Sequence, residues 1–373
     1  MATADPGTMA YCCCKHRLSE SRWEWTVTVS RISDELQVFS TCPQSKDETS
    51  KQYAVRVVEV SRWSEQFGCR GILVYTDNGL VDPWLVSQLI LESTSTICPL
   101  VAIQPVYMHP YSAAKMVASL AFIHSRRIFL NMLAGGFKND LVALNDRVPH
   151  DDRYVRTTEY TLIMQKLLMS SDPVSFDGKY YSVKNLRMTP PLDAKLFPGI
   201  LISGSSDAGM NAAKMIGATA VKYPKPPEEE AMAANVGVDV GVRVGIIARA
   251  DGNEAWRVAL ERFPEDRKGR ITHKLAMQVS DSGWHKQLGE MAEKPLSEEN
   301  PYWLGPFQNY KTFCPYLVGS YDRVAEEMAR YVGIGYKTYI LDIPPSCDEL
   351  EHTAVVFQRA LELAKSETSR NTT

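Results

Sequence analysis

From Gly71 to Met132 the chain repeats one short pattern: Gly71-Ile-Leu-Val-Tyr75, then Cys98-Pro-Leu-Val-Ala-Ile-Gln104, then Ile128-Phe-Leu-Asn-Met132. Each run is apolar at consecutive rather than alternate positions, which predicts strands buried on both faces, as in a parallel sheet. The intervening stretches carry helix signals. Residues 83–94 have Pro83 in the first turn, and Pro110 opens a helix that runs to about His124. Strand, helix, strand, helix is the order of successive β/α units.

Working outward, Leu36–Cys42 reads as an earlier strand, and Tyr53–Phe67 as a helix closed by Gly68. Downstream come a helix at Tyr154–Met169 and a hairpin at Val174–Val183 that turns at Asp177-Gly178. Strands at Ile200–Ile202, Ala218–Val221 and Val240–Ala248 follow, then a helix at Asn253–Arg262. Tyr321–Val332 is a helix, Thr338–Asp342 the last strand and Asp348–Lys365 the last helix. Eight strands in this series predict an α/β fold, a (β/α)8 TIM barrel with insertions, more readily than an open sheet. Residues 264–318 read as polar and irregular, too long for a plain loop, and are expected to be a lid. Residues 1–33, Cys-rich with Trp23 and Trp25, read as an extension outside the core. The barrel is then 34–366, with a tail at 367–373.

Composition excludes several classes. With 45% hydrophobic and 23% charged residues the chain is ordinary globular protein, and its net charge of −3 argues against nucleic acid or a polybasic membrane contact. No apolar run reaches the length of a membrane span, and the N-terminus lacks a signal-peptide apolar core. The 8 cysteines form no CxxC pair, so neither a metal site nor a disulfide framework is signalled, and a reducing cytoplasm is expected.

In a barrel of this kind chemistry sits at the C-terminal ends of the strands. The polar residues there are Thr76, Asp77 and Asn78, Gln104 and Tyr107, Asn131, Ser205 and Ser206, Tyr223, and Arg243. Ser203-Gly-Ser-Ser206 joins a strand to a helix, where outward N–H groups and the helix dipole suit a phosphate; Ser206 or Asp207 as a simple N-cap is the structural alternative. Asn131 inside an apolar strand must find partners, from a ligand ring edge or from a neighbouring loop. His109, before Pro110, caps or packs unless it serves catalysis. No GxSxG, HExxH or P-loop lysine is present.

Several stretches resemble the bacterial luciferase-like flavin monooxygenases, nearest their alkanesulfonate monooxygenase branch. They are Trp63–Val86, Leu100–Ala114, Phe129–Gly136, Asp152–Tyr160, Phe176–Val183, Ile202–Asp207, Val240–Trp256 and Leu317–Ile343, in order across 36–365. The resemblance implies reduced FMN across the barrel mouth, O2 as co-substrate, a separate flavin reductase and a homodimer. Ser205 and Ser206, helped by Tyr154, match the phosphate-binding turn; Asn131 matches a polar residue facing the isoalloxazine, with Ala102 and Tyr223 also against the cofactor. A non-proline cis bond is expected near Val101-Ala102. Asn78, Gln104, His109 and Arg243 are the catalytic candidates. The absence of a GxGxxG fingerprint fits a reductase on another chain.

Departures from the branch are informative. Leu80 stands in place of a cysteine, Gly245 of a histidine, Tyr310 of an arginine and Pro344 of a tyrosine, whereas Arg243 is kept. A sulfonate wants several charge-assisted donors. A larger, less charged organic substrate, carried on a protein or free, is therefore expected, with hydroxylation or Baeyer–Villiger insertion as the reaction. A deazaflavin oxidoreductase of the same fold and a non-catalytic flavin-binding protein are the alternatives.

Overall fold

The computed structural model describes residues 31–135, 138–204, 206–230, 232, 237–279 and 300–371. Eight parallel strands close a barrel. They are β1 (Gln37–Thr41), β2 (Gly71–Val74), β3 (Cys98–Ile103), β4 (Phe129–Leu133), β7 (Ile200–Ser203), β8 (Thr219–Lys222), β9 (Val240–Arg249) and β12 (Thr338–Leu341). The circle shuts where β9 pairs with both β8 and β12, and β12 with β1. All eight correspond to the strands expected from the sequence. Strands β5 (Val174–Asp177) and β6 (Ser182–Leu186) form the expected hairpin outside the barrel.

Helices α1 (Ser50–Gln66), α2 (Pro83–Ser93), α3 (Pro110–His124), α5 (His150–Met169) and α6 (Asp207–Ile216) cover the outside, with a short α4 at Lys138–Ala143. Their starts follow the local chemistry: Asp82 caps α2 ahead of Pro83, and His109 caps α3 ahead of Pro110. Inside, Phe39, Leu73, Leu100, Phe129, Leu201, Val221 and Ile340 pack into one cluster, with Phe39 edge-on to Phe129 at 5.1 Å. The lumen is thus a filled core rather than a pore.

The structure departs from the sequence reading at four points. Segment 264–318 is not irregular among its described residues. It holds α8 (Arg267–Val279), strand β10 (Tyr302–Trp303), a short α9 (Gly305–Gln308) and strand β11 (Tyr316–Ser320), which pairs with the far half of β9. Its polar surface hid apolar residues spaced for a helix; the rest of the expected lid, 280–299, lies outside the described residues. At the ends, Ile32 is buried and its N–H donates to the Phe67 carbonyl at 2.8 Å, so the core begins ahead of 34; residues 1–30 lie outside the described residues. The last helix runs from Cys347 to Asn371, following α10 (Tyr321–Ile334), so the tail expected at 367 continues as helix. The peptide near Val101-Ala102 is trans: β3 keeps regular register with β2 and β4 through these residues, and Thr189-Pro190 is the cis bond among the described residues. No described helix is long and apolar enough to cross a membrane.

Candidate active site

Side chains alternate along a strand. Two residues beyond the barrel core, on the same inward face, come Thr41, Tyr75, Ala102, Asn131, Ser203, Tyr223, Arg243 and Asp342. Strand parity alone gathers them from all eight barrel strands into one layer at the C-terminal mouth, where β/α barrels do their chemistry.

On one side, Ala102 and Asn131 are register partners on β3 and β4. The Ser203 hydroxyl donates to Asn131 Oδ1 at 3.0 Å, which leaves the Asn131 amide N–H groups for something else. Gln104 continues the inward face of β3 and is buried, yet its side-chain amide has no hydrogen-bond partner among the described residues. Next to them Tyr154 reaches in from α5. Its hydroxyl lies 3.5 Å from the Ser203 carbonyl and bonds to Ser206. Burial raises the Tyr154 pKa, and the Ser206 bond opposes this without cancelling it, so the phenol stays a neutral donor. Gly204 is what allows this approach, because a Cβ there would overlap the Tyr154 hydroxyl. Ser206 also caps α6, its Oγ accepting from Gly209 N at 3.2 Å, so the capping alternative is realised in the same turn. Ser205 lies outside the described residues.

On the other side, the Arg243 guanidinium sits over the Tyr75 ring at 5.0 Å, with Nη2 3.6 Å from Asp342 Oδ1. Arg243 is buried, and its Nε and Nη2 have no hydrogen-bond partner. Asp342 is held by its other oxygen: Oδ2 accepts from Thr312 Oγ1 at 2.6 Å and from the Tyr316 hydroxyl at 2.8 Å. Burial and then the Asp342 charge drive the Tyr316 and Cys314 pKa values upward, the thiol to about 12, so neither is a nucleophile at neutral pH. Tyr223 closes this side; burial raises its pKa, followed by the charges of Cys314 and Asp342.

Two catalytic candidates stand apart. His109 is exposed, its Nδ1 accepts from Tyr111 N at 3.1 Å as the α3 cap, and its ring meets Tyr181 edge-on at 5.9 Å. Asn78 is exposed and ties loops together: its Nδ2 donates to the Asp140 carbonyl at 3.1 Å and its Oδ1 accepts from Tyr107 at 2.8 Å. Sequence reasoning missed Tyr75, Thr312, Tyr316 and Asp342. Asp342, polar at the end of an apolar strand, carried the same signal as Arg243; Thr312 and Tyr316 belong to the segment read as irregular. Among the described residues no cluster of three or more His, Cys, Asp or Glu could hold a metal.

The polar groups left over fit a flavin. Unpaired amides at Gln104 and Asn131 suit a ring edge of alternating carbonyls and N–H, Ala102 leaves room for a flat ring, and the Tyr154–Ser206 turn suits a phosphate.

Comparison with known proteins gives the family and the fold. Residues 35–338 match the family model for luciferase-like monooxygenases. The chain is 32% identical over 326 residues to the 4-(γ-L-glutamylamino)butanoyl-[BtrI acyl-carrier protein] monooxygenase BtrO of Niallia circulans, covering 86% of this chain and 95% of that one. Among solved structures, the oxygenating constituent of 3,6-diketocamphane monooxygenase from Pseudomonas putida, in complex with FMN, superposes with a TM-score of 0.62 at 17% identity, covering 87% of this chain and 96% of that one. An F420-dependent secondary alcohol dehydrogenase superposes with a TM-score of 0.60 at 15% identity, over 87% and 99%.

Proposed function

The chain belongs to the luciferase-like monooxygenases, and from that premise we propose that it uses reduced FMN and O2 to oxygenate an acyl group carried on a carrier protein. The observation that carries this reading is the mouth itself: the residues Gln104 and Asn131 are buried on one side, and on the other Arg243 holds Nε and Nη2 buried without a hydrogen-bond partner. A carrier-bound substrate is the one named for the Niallia circulans relative, and the loss of most sulfonate-binding side chains, with Leu80, Gly245, Tyr310 and Pro344 in their places, turns the site away from a simple alkanesulfonate.

The cofactor, when bound, supplies the two electrons that send one oxygen of O2 into the substrate and the other to water. Balanced, substrate C–H, O2 and FMNH2 become C–OH, FMN and H2O. The protein binds and orients. Asn131 and Gln104 would hold the polar edge of the flavin ring, with Ala102 and Tyr223 lining the space beside them. Tyr154 and Ser206, with the α6 N-terminus, would hold the phosphate. Arg243, steadied by Asp342 and Tyr75, offers its free N–H groups to negative charge that develops on oxygen, in a site where water is scarce. The 305–318 part of the excursion walls this side of the mouth and excludes solvent through Thr312 and Tyr316. Asn78 and His109 keep their loop-tying and capping roles. A separate reductase supplies reduced FMN, and the exposed Leu85, Phe122 and Ile123 on α2 and α3 are the face through which the chain forms a homodimer.

The test pairs binding with turnover. Anaerobic titration with reduced FMN and, separately, with reduced F420 is followed by mixing with O2 and 4-(γ-L-glutamylamino)butanoyl thioester on the BtrI carrier. Tight FMN binding and a product heavier by one oxygen atom are expected. Preference for F420 with no oxygen incorporated sinks the proposal in favour of the deazaflavin reading. FMN binding with O2 consumed but the acyl group unchanged leaves the cofactor assignment standing and removes the substrate class.

A further inference from the structure

Helix α8, RKGRITHKLAMQV, carries Arg267, Lys268, Arg270 and Lys274 and no acidic residue, in a chain whose net charge is −3. A helix turns 100° per residue, so Gly269 and His273 share one side, and that side is fastened down. The His273 ring meets Phe307 edge-on at 4.6 Å. Gly269 lies against the Asn309 carbonyl with no room for a Cβ, and Arg270 Nε donates to Asn309 Oδ1 at 3.2 Å. Three residues beyond Asn309, Thr312 bonds to Asp342 in the mouth. The helix therefore rides on the segment that borders the active site.

Its opposite face is open. Ile271 and Leu275, one turn apart, are 54% and 59% exposed. Arg267 and Lys268 flank them, both exposed, and neither side chain forms an ion pair among the described residues. The nearby acids are already committed, Glu265 to Arg270 at 3.1 Å and Asp266 to Lys311 at 2.9 Å. An apolar centre with a charged rim is the anatomy of a protein interface, and unneutralised cations on the rim steer an acidic partner. Two aliphatic side chains expose too little apolar surface for a helix to lie buried in a lipid interface.

We propose that this outer face of α8 docks the carrier protein that presents the substrate: Ile271 and Leu275 meet apolar side chains of an acidic carrier helix, and Arg267 and Lys268 pair with its carboxylates. The inference rests on the carrier-bound reading above. A tethered substrate must be held beside the mouth by its carrier, whereas a free one needs no such surface.

The test uses the full chain and two double variants, R267E/K268E and I271S/L275S, with the BtrI acyl-carrier protein bearing the 4-(γ-L-glutamylamino)butanoyl thioester and the same acyl group on pantetheine. Circular dichroism and thermal melting establish that the variants fold. Titration calorimetry reads carrier binding without the cofactor, and steady-state rates read KM and kcat. We expect carrier Kd and KM to rise about tenfold or more in each variant, with kcat and the constants for the pantetheine thioester unchanged. Carrier affinity of the unaltered chain should also fall as salt is raised. If the unaltered chain prefers the carrier-borne substrate and both variants match it, the carrier reading stands and α8 is not the dock. If it has no preference for the carrier form, the carrier reading itself fails, and this inference with it. Variants that alter sedimentation or binding to anionic vesicles, but not carrier KM, overturn the proposal in favour of a self-contact or a lipid surface.

Discussion

Tyr316 lies flat against Gly245, its register partner on β9, so closely that a Cβ at position 245 would fall inside the ring. The space that a side chain at 245 would take is filled by a tyrosine from the excursion, whose hydroxyl then reaches Asp342. Gly245→His should therefore expel the ring and strip Asp342 of one donor. Overpacking of this kind costs about 1–3 kcal/mol, read as a drop of several degrees in Tm; a variant that melts with the unaltered chain would show that the ring moves freely.

Asp342 compensates the buried Arg243. Asp342→Asn leaves that cation without its countercharge and should destabilise the fold by about 3 kcal/mol. Thr312→Val, which removes one bond to the carboxylate, should cost roughly 2 kcal/mol. Denaturant midpoints check both, and the ranking matters more than the values: equal effects would mean that Asp342 acts as a hydrogen-bond acceptor only.

Tyr154→Phe and Ser206→Ala should each weaken FMN binding about tenfold while leaving riboflavin nearly unaffected, because a hydrogen bond to a charged group contributes roughly 1.5–3 kcal/mol. Flavin fluorescence quenching measures the ratio. Parallel losses for FMN and riboflavin would move the phosphate elsewhere.

The homodimer proposed above should bury Leu85 and Phe122, which are 69% and 71% exposed in the single chain. Replacing either with Glu is expected to give monomers in analytical ultracentrifugation. Variants that sediment as the unaltered chain does would place the dimer contact on another face.

Acid sensitivity should centre partly on Glu65. Burial alone would raise its pKa, but its carboxylate accepts from the N–H groups of Ser95, Thr96 and Ile97 and from the Thr96 hydroxyl, and the net shift is downward. A folded-state value below the unfolded one contributes stability that is complete above about pH 4.3 and disappears as pH falls through the folded value. Glu65→Gln should thus lose less Tm between pH 7 and pH 3 than the unaltered chain; identical losses would show that the carboxylate's charge is irrelevant there.

Much of this fold was legible in the residues because runs such as Gly71–Tyr75 and Cys98–Gln104 are apolar on both faces, which only a covered parallel sheet tolerates. Polar residues in or just past those apolar runs made Gln104, Asn131 and Arg243 candidates, and the structure buries all three. What stayed hidden depends on contacts over long sequence distances. The Thr312 and Tyr316 bonds to Asp342 join a segment read as irregular to the last strand. His109 and Asn78 sit just past strand ends, as expected, but their side chains are taken up in a helix cap and a loop tie, and loop geometry is not written in periodicity.

Strand β9 has a forked allegiance: through Val244 it pairs with β8 and β12, and from Gly245 onward with β11. The excursion leaves the barrel after α7 (Gly252–Arg262) and is stitched back at Tyr316. Between those two seams its length does not enter the barrel's closure. The segment from Phe263 to Pro315 is thus an exchangeable cassette: a different roof could be grafted there, and with it a different clientele, while the eight strands beneath keep their register.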